Sequence, residues 1–463
     1  MENIRKPNCG ARLDRLPNSN WHWSMFGMVA FGLLVCWSNA IGGLVLAQLK
    51  ELGWTNNSTS AVFSSLTTAG MFVGALFGGI IGDKIGRRKA YILYEVIHII
   101  AMVVAAFSPN MNFLIACRFV MGFGLGALLV TLFAGYTEYM PGRNRGTWSS
   151  RVSFIGNWSY PICSTIAMLI APMLSAQMNW RVQFLIPAAL SLIVTAVVYK
   201  KFPESPRWLE AQGRYEEAEK IMSEIEKRVE AQTNTKLPEI TAAAEESKKE
   251  KVLPYSALLH GVLLKRVILG SFVLIAMNVV QYTLINWLPT IFMTQGINLK
   301  DSIVLNTMSM FGAPFGIFIA MLIMDKIPRK VMGVGLLILI AILGYIYSLQ
   351  SSMTMISIFG FFLITFVYMY VCYASAVYVP EIWPTEAKLR GSGLANAVGR
   401  ISGILAPYAV AVLLDNYGVT GVFVLLGSVS VIVAAVIAVI GIETKGVSIE
   451  SINSEAVKVQ TAN

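Results

Sequence analysis

The sequence predicts an all-α membrane protein with twelve transmembrane helices in two pseudo-symmetric six-helix halves. Of its 463 residues, 56% are hydrophobic and only 13% are charged, a balance typical of proteins that cross a membrane several times. Uncharged runs such as 267–288 and 331–349, each of about 20 residues, are long enough to cross a hydrocarbon core of roughly 30 Å as helices. Charged motifs between these runs recur in the second half of the chain, which indicates an internal repeat.

The apolar runs divide the chain into three parts. Basic residues concentrate in the N-terminal arm and in alternate loops, which predicts that both termini face the cytoplasm. Residues 1–200 form the predicted N-terminal six-helix half with its arm, 201–266 a helical linker on the cytoplasmic side, and 267–463 the C-terminal half with a short tail. The predicted spans are residues 23–45, 61–81, 90–107, 112–136, 152–171, 182–199, 267–288, 302–324, 331–349, 353–379, 392–414 and 419–440.

The composition and the missing motifs exclude several classes of function. The formal net charge of +10 lies in alternate loops, so it indicates membrane orientation and not nucleic-acid binding. The five cysteines show no paired spacing, so we expect neither a disulfide framework nor a metal site. Without a phosphate-binding loop or a nucleophile motif, we expect no ATP-driven pump, no enzyme and no cofactor. The first apolar run lacks a cleavage site and is interpreted as a retained span.

A short amphipathic helical region is predicted inside the linker. Ser205 and Pro206 are suited to begin a helix, as its cap and first residue, and Gly213 is suited to end it. The following segment has apolar residues at spacings of three and four, typical of a helix with one buried face. These residues are Ala218, Met222, Ile225 and Val229.

Three charged motifs occur in the same order in both halves, at a nearly constant separation along the chain. Two six-helix halves related in this way are typical of secondary transporters, which bind their substrate between the halves. The paired motifs are Asp83-Lys84-Ile85-Gly86-Arg87 with Asp325-Lys326-Ile327-Pro328-Arg329, Glu138-Tyr139-Met140-Pro141 with Glu381-Ile382-Trp383-Pro384, and Glu204-Ser205 with Glu443-Thr444.

On these motifs the chain resembles the major facilitator superfamily, and within it the sugar porters and related metabolite transporters. The resemblance covers nearly the whole chain and extends to bacterial inner-membrane proteins described as metabolite transport proteins. It implies the major facilitator fold and a location in a bacterial inner membrane. The matching segments are Gly79-x-x-x-Asp83-Lys84-x-Gly86-Arg87-Arg88-Lys89, Arg118-x-x-x-Gly122-x-Gly124-x-Gly126, Pro203-Glu204-Ser205-Pro206-Arg207-Trp208-Leu209 and Glu443-Thr444-Lys445-Gly446.

The charged motifs predict a cytoplasmic gate, whose ion pairs form when that side is closed and break when it opens. Each pair at a half-hydrated interface contributes roughly 0–1 kcal/mol, so a network is needed to bias the equilibrium. Alternatively, the basic residues only set orientation, although acidic residues contribute little to that. For Glu204 and Arg207, helix initiation is an equally good explanation. The predicted gate residues are Asp83, Arg87, Arg88, Glu138, Arg145, Glu204, Arg207, Asp325, Arg329, Glu381, Lys388 and Arg390.

Ionisable groups inside spans are costly and are therefore functional candidates. Arg118 and Asn39 are expected at similar depth. Proton-coupled sugar porters have an Asp at a place comparable to Asn39, paired with this Arg, so its absence here leaves the proton carrier open. Arg118 is a candidate for binding an anionic substrate, or else a structural arginine bonded to backbone carbonyls. Glu95 and His98, one helical turn apart, are candidate proton carriers, the alternative being a polar contact between helices.

Polar and aromatic residues of several spans are candidates for substrate binding. The seventh span is the richest, and Gln281 resembles the glutamines that hydrogen-bond sugar hydroxyls in sugar porters. Amides donate and accept hydrogen bonds, and aromatic rings stack on apolar ring faces. The alternative for any single residue is a hydrogen bond between helices. Besides Asn39 and Arg118, the candidates are Asn157, Asn278, Gln281, Tyr282, Asn286, Trp287, Tyr373 and Asn396, with Trp158, Tyr160, Thr283 and Tyr368 as further polar or aromatic residues of these spans.

Three classes of function remain after these exclusions. The resemblance favours a secondary transporter for a sugar, polyol or sugar acid, with proton-linked uptake. A carrier of organic or aromatic acids would suit Arg118, and uncoupled facilitated diffusion is also open. A non-transporting receptor is disfavoured, because only about twenty residues follow the last span. The expected partners are a small-molecule substrate, protons as the candidate coupling ion, and the lipid bilayer, with a monomer as the functional unit.

Overall fold

The computed structural model describes residues 7–37, 39–141, 145–239, 254–384 and 387–445. Within these ranges the chain forms α-helices, 3₁₀ turns at Ala171–Met173 and Tyr255–Leu259, a π-helical stretch at Tyr373–Tyr378, and no β-strand. Helices are expected in the apolar runs, because a backbone in lipid must satisfy its own hydrogen bonds. The prediction of an all-α chain is confirmed.

Residues before the linker and within it form eleven α-helices, which are numbered in chain order. Four of them are predicted spans without interruption, and the first and fifth spans are each divided into two helices. The helices are α1 (Cys9–Asp14), α2 (Asn20–Val35), α3 (Gly42–Glu51), α4 (Asn57–Ile85), α5 (Arg87–Ala106), α6 (Met111–Tyr139), α7 (Arg145–Asn157), α8 (Ser159–Ile170), α9 (Ala176–Lys201), α10 (Pro206–Ala211) and α11 (Tyr215–Thr233).

The C-terminal part of the chain forms seven further α-helices. The first of them begins at Gly261, earlier than the predicted span at 267–288, and continues to Thr294. The helices are α12 (Gly261–Thr294), α13 (Leu299–Met310), α14 (Gly312–Ile323), α15 (Arg329–Ser348), α16 (Met353–Cys372), α17 (Val379–Glu381) and α18 (Lys388–Ile440).

Ten helical stretches in the described chain are long and apolar enough to cross a membrane. The last of them, Arg390–Ile440, holds two predicted spans, because Gly418 has a left-handed φ of 61° that interrupts the helix. The first predicted span is not among the ten, since α2 ends at Val35 and α3 begins at Gly42. Counting this broken span and dividing the last stretch gives the predicted twelve. Asn39, a residue of low helix propensity, lies in this break.

The described residues pack as two compact units. The first lies within Met1–Asn39, Gly70–Ser159 and Phe184–Lys248, and the second within Ala40–Ala69, Tyr160–Gln183 and Lys249–Asn463. Parts of the first, second and fifth predicted spans, and the first two residues of the sixth, therefore group with the C-terminal residues. The division of the chain at residues 200 and 267 stays a prediction.

In the first unit, the N-terminal arm packs on the helices of the linker. Cys9 and Leu13 of α1 are completely buried, and so is Leu16. The predicted start and end of α10 are confirmed: Ser205 Oγ accepts a hydrogen bond of 3.2 Å from the backbone N–H of Trp208, and Gly213 has a φ of 74°. The predicted buried face of α11 is also confirmed, with Ala218, Met222, Ile225 and Val229 all at 4% exposure or less.

Small residues set the close packing of α4 on α6 in the same unit. Gly70, Gly74 and Gly78 follow one face of α4 at intervals of one turn. A Cβ atom at Gly74 would lie 2.0 Å from the Phe123 carbonyl oxygen, so only glycine allows this approach. Close backbone contact through small residues is a common way to join helices in lipid.

The second unit joins residues from both halves of the sequence. The start of α3 lies against α12, where a Cβ at Gly43 would be 2.5 Å from the Ile285 carbonyl oxygen. Asn57 Nδ2 donates a 2.5 Å hydrogen bond to Asp415 Oδ1, and Ser65 Oγ donates one of 2.6 Å to the Ile404 carbonyl. Within this unit, polar contacts therefore connect α4 with α18.

Candidate functional site

A charged cluster forms where α4 meets α5 in the first unit. Arg87 donates hydrogen bonds to Asp83 Oδ1 at 2.5 Å and to Glu138 Oε1 at 3.0 Å. The backbone N–H groups of Arg87 and Arg88 donate to Glu204 Oε1 at 2.7 and 3.1 Å. The Glu204 carboxylate therefore accepts from the amino end of α5, where the helix dipole favours negative charge.

A second cluster forms where α14 meets α15 in the second unit. Arg329 donates to Asp325 Oδ1 at 3.1 Å and to Glu381 Oε2 at 3.0 Å. The backbone N–H groups of Arg329 and Lys330 donate to Glu443 at 2.8 and 3.1 Å. Burial raises the pKa of Glu443, but the hydrogen bonds from backbone N–H groups together have the larger effect and lower it. The pKa of Glu443 therefore lies below its usual value.

The two clusters match each other beyond the residues that the repeat predicted. Ser205 Oγ donates to Glu138 in the first cluster, and Thr444 Oγ1 donates to Glu381 at 2.6 Å in the second. Beside each cluster, a tyrosine hydroxyl donates a hydrogen bond to a backbone carbonyl. The pairs are Tyr139 with Pro203 at 2.8 Å and Tyr378 with Ile442 at 3.0 Å.

The remaining predicted gate residues lie around these clusters. Arg207 donates to Asp14 Oδ1 at 3.0 Å, which ties the linker to the N-terminal arm. Lys388 is exposed at the start of α18, and the Arg390 guanidinium lies 5.0 Å from the centre of the Tyr255 ring. Arg145 is the first residue of α7, and its side chain lies outside the described residues.

An aromatic and amide cluster lies in the second unit, among residues predicted to bind substrate. The rings of Tyr160 and Tyr368 meet edge to face with 5.5 Å between their centres. Gln281 and Tyr282 are polar neighbours of the Tyr368 hydroxyl. The cluster therefore combines one residue of the fifth predicted span with two of the seventh and one of the tenth. We call these four residues the Gln281 cluster.

The other candidates of the seventh span lie along the same helix, α12. Asn278 is buried and donates to the Leu274 carbonyl at 2.7 Å, beside the glycine at 399 of α18. Asn286 is buried, as is Trp287, whose indole N–H has no hydrogen-bond partner among the described residues. An unpaired buried donor is costly, so Trp287 stays a candidate for binding.

Four further candidates belong to other elements of the chain. Asn39 is half-buried in the break between α2 and α3, and Asn157, at the end of α7, donates to the Ser153 carbonyl at 2.7 Å. Asn396 is exposed on α18 and donates to the Ser392 carbonyl. Tyr373 stacks on Tyr378 with 5.0 Å between ring centres.

The ionisable candidates of the first unit are buried but have different neighbours. Glu95 is completely buried, with Oε2 4.0 Å from Cys36 Sγ and with Ser191 as a further polar neighbour. His98 Nδ1 lies 3.1 Å from the Met121 carbonyl oxygen, and Arg118, 1% exposed, is its electrostatic neighbour. Glu95 and His98 therefore have different neighbours. The Glu95 carboxyl lies beside two polar side chains, whereas His98 faces a backbone carbonyl.

Sequence reasoning missed several polar contacts. Cys36 and Ser191 adjoin Glu95, but a cysteine or serine in an apolar run shows no pattern that would single it out. Ser164 accepts hydrogen bonds from Asn306 Nδ2 at 2.8 Å and from Thr307 Oγ1 at 2.9 Å. Asn306 and Thr307 are two adjacent polar residues in the eighth span, and this pair could have indicated a polar contact. Their partner, Ser164, could not be identified because it lies far away in the chain.

Comparison with known proteins gives one consistent result. Residues 24–456 match the family model described as sugar (and other) transporter. YdjK of Escherichia coli K12, whose name describes it provisionally as a metabolite transport protein, is 79% identical over 457 residues, 99% of each chain. The inner membrane metabolite transport protein YdjE of the same organism is 45% identical over 446 residues, 96% of this chain and 98% of that one.

The fold is also similar to solved structures. A partially occluded inward-open structure of the xylose transporter XylE from E. coli aligns with a TM-score of 0.73 and 18% sequence identity, covering 93% of this chain and 100% of that chain. At this identity the likeness shows the fold, which is the major facilitator fold that the repeated motifs implied. The chain therefore belongs to the sugar (and other) transporter family, and is a multi-pass inner-membrane metabolite transporter rather than an enzyme.

Proposed function

We propose that the protein moves a small polar metabolite, a sugar, polyol or sugar acid, across the inner membrane by alternating access with proton-linked uptake. The Gln281 cluster carries this proposal, since it brings together amide, hydroxyl and aromatic groups from three predicted spans. Side chains that converge from separate helices are suited to bind a ligand between them.

The chemistry of the Gln281 cluster suits a hydroxylated ligand. The amide of Gln281 can donate and accept hydrogen bonds at once, which matches vicinal hydroxyl groups. The rings of Tyr160 and Tyr368 offer apolar faces for the C–H side of a sugar or polyol. The unpaired indole N–H of Trp287, on the same helix as Gln281, is a further candidate donor.

Glu95 is the proposed proton carrier. A fully buried carboxyl inside a span is costly when charged, so its protonation can change with its surroundings during transport. The neighbouring Cys36 and Ser191 can hydrogen-bond either form of the carboxyl. His98, which faces the Met121 carbonyl, is the second candidate.

The charged clusters are the proposed control of the cytoplasmic gate. Each cluster joins the ends of several helices of one unit through an arginine with two acidic partners. Ion pairs of this kind are individually weak, so a network can bias the two conformations without locking either.

A carrier of organic or aromatic acids is the second candidate function. Arg118 places a positive charge at 1% exposure inside the sixth helix, and a carboxylate substrate would pair with such a guanidinium. An uncoupled facilitator would need no proton carrier. A non-transporting receptor is the least favoured candidate.

The test begins with a ligand that raises the thermal stability of the purified protein, since ligand binding stabilises the folded state by mass action. The panel contains sugars, polyols, sugar acids and aromatic acids, and the best ligand is then measured for uptake into proteoliposomes. We expect Gln281→Ala to weaken binding about tenfold, the loss of one or two hydrogen bonds. Gln350→Ala, which removes a half-buried amide that donates to the Ile346 carbonyl just before it in the chain, is the matched control.

Stabilisation by aromatic acids alone, with binding lost in Arg118→Lys and unchanged in Gln281→Ala, would favour the acid carrier. Binding that raises stability without any uptake into proteoliposomes would contradict transport and favour the receptor.

A further inference from the structure

A cavity of about 700 Å³ lies in the first unit, at the end of α5 and α9 that carries the basic residues. The first two turns of α5 and the last residues of α9 form its walls, and α11 lines the side away from the membrane. This cavity shares Arg88 and Glu204 with the first charged cluster but contains none of the proposed substrate or proton-coupling residues.

The lining of the cavity is strongly basic. It contains six basic side chains against three acidic ones. Two of the three acids are already engaged, since Glu204 accepts from backbone N–H groups and Glu217 pairs with Arg214 at 2.5 Å. Lys89 and Lys200 have no ion-pair partner in the described part of the chain, so the cavity retains an excess of positive charge.

One arginine of this lining is held against the end of α9. The Arg88 guanidinium lies 5.5 Å from the centre of the Tyr199 ring and donates to the Tyr199 carbonyl. A guanidinium carries five N–H donors, so the half-buried Arg88 side chain can also donate to an anionic oxygen in the cavity.

Apolar surface continues from the cavity along both spans. On α5 the next exposed side chains are Leu93, Val96 and Ile100, and on α9 the exposed Ile193 and Val197 precede the basic residues. Since α5 and α9 are membrane-spanning helices, these side chains face hydrocarbon. The cavity therefore lies where acyl chains end and headgroups begin, on the side that the basic loops predict to be cytoplasmic.

We propose that this cavity binds the headgroup of an anionic phospholipid of the inner leaflet, with the phosphate near Arg88 and Lys200 and the acyl chains along α5 and α9. A phospholipid matches both surfaces, because its phosphate complements the basic lining and its chains complement the exposed apolar residues. A soluble phosphate compound would use only the first of these. The matching position of the second unit, with Lys330 and Lys445, has no counterpart of α10 and α11 among the described residues.

The experiment uses the full chain, reconstituted in a mixture of phosphatidylethanolamine and phosphatidylglycerol and then extracted. Native mass spectrometry measures which lipid the protein retains. We expect the wild type to retain phosphatidylglycerol in preference to phosphatidylethanolamine. Each basic residue near an anionic lipid contributes a factor of about five, so Lys200→Gln with Lys201→Gln should weaken retention about 25-fold. Lys220→Gln with Lys227→Gln removes the same charge from exposed positions of α11 outside the cavity, and should retain the lipid as the wild type does.

Two further measurements keep the outcome decisive. Lys200→Arg with Lys201→Arg should restore retention, and all variants should unfold at the wild-type temperature in phosphatidylethanolamine alone, which excludes misfolding. Equal loss of lipid in both glutamine variants would overturn the site, because general charge would then explain the binding. Stabilisation of the detergent-solubilised protein by inorganic phosphate as strong as that by phosphatidylglycerol would overturn the lipid assignment and favour free phosphate.

Discussion

At the scale of single residues, Gly86 shows why the first charged motif has its particular sequence. Its φ of 100° lies in the left-handed region, and a Cβ atom there would lie 2.4 Å from Glu204 Oε2. The turn into α5 and the approach of Glu204 therefore both require glycine. The predicted spans at 61–81 and 90–107 place a helix boundary in this region. The contact with Glu204 could be predicted only through resemblance, because the two residues are far apart in the chain.

Replacement of this glycine should destabilise the protein. We expect Gly86→Ala to lower the free energy of unfolding by about 1–3 kcal/mol, from left-handed strain and displacement of Glu204. The measurement is thermal unfolding of the purified protein in detergent. Gly82→Ala is the control, since a Cβ there meets only ordinary contacts of 3.5 Å or more. Equal midpoints for the two variants would show that Glu204 is not held as described.

At the scale of helices, the N-terminal arm packs on the linker helices α10 and α11 through ion pairs. Arg12 donates to Glu226 at 2.6 Å and to Glu219 at 2.5 Å, and Arg15 donates to Glu226 at 2.6 Å. The sequence predicted α10 and α11 with their buried face, since caps and apolar spacing are local signals. It could not predict that the polar arm packs on them, because ion pairs between distant segments leave no periodic pattern.

The arm should loosen in acid. Burial raises the pKa of Glu226, but the combined effect of Arg12 and Arg15, which lowers it, is larger. The pKa of Glu226 in the folded state is therefore below the usual 4.5. The hydrogen bond from Arg12 also lowers the pKa of Glu219. A lowered carboxyl pKa stabilises the arm fully above about 4.5, and this stabilisation is lost as the pH falls through the folded-state pKa.

Hydrogen exchange of the α1 amides, followed as the pH falls below 4.5 and corrected for intrinsic exchange, checks this loss. Arg12→Ala should raise α1 exchange on the order of tenfold at neutral pH and remove most of the acid dependence. Lys227→Ala, at an exposed position of α11, should behave as the wild type. An acid dependence that persists in Arg12→Ala would contradict the role of these ion pairs.

At the scale of the whole molecule, the sequence was sufficient to predict the fold. Composition and apolar runs predicted membrane helices, and the repeated motifs predicted two related halves. Both signals can be read from short stretches of sequence, without knowing which distant residues come into contact. The break between Val35 and Gly42 was not foreseen, since membrane helices often continue through single residues of low helix propensity. The Gln281 cluster was predicted only as separate candidates, because convergence of distant spans depends on packing.

Coupling of transport to protons is the central claim, and Glu95 carries it. The most direct test compares uptake of the stabilising ligand by wild-type and Glu95→Gln proteoliposomes under an imposed proton gradient. We expect the wild type to accumulate the ligand above equilibrium, and Glu95→Gln to exchange it between the two sides without accumulation, since glutamine cannot carry a proton. Accumulation by Glu95→Gln equal to that of the wild type, with the same pH profile, would contradict the account.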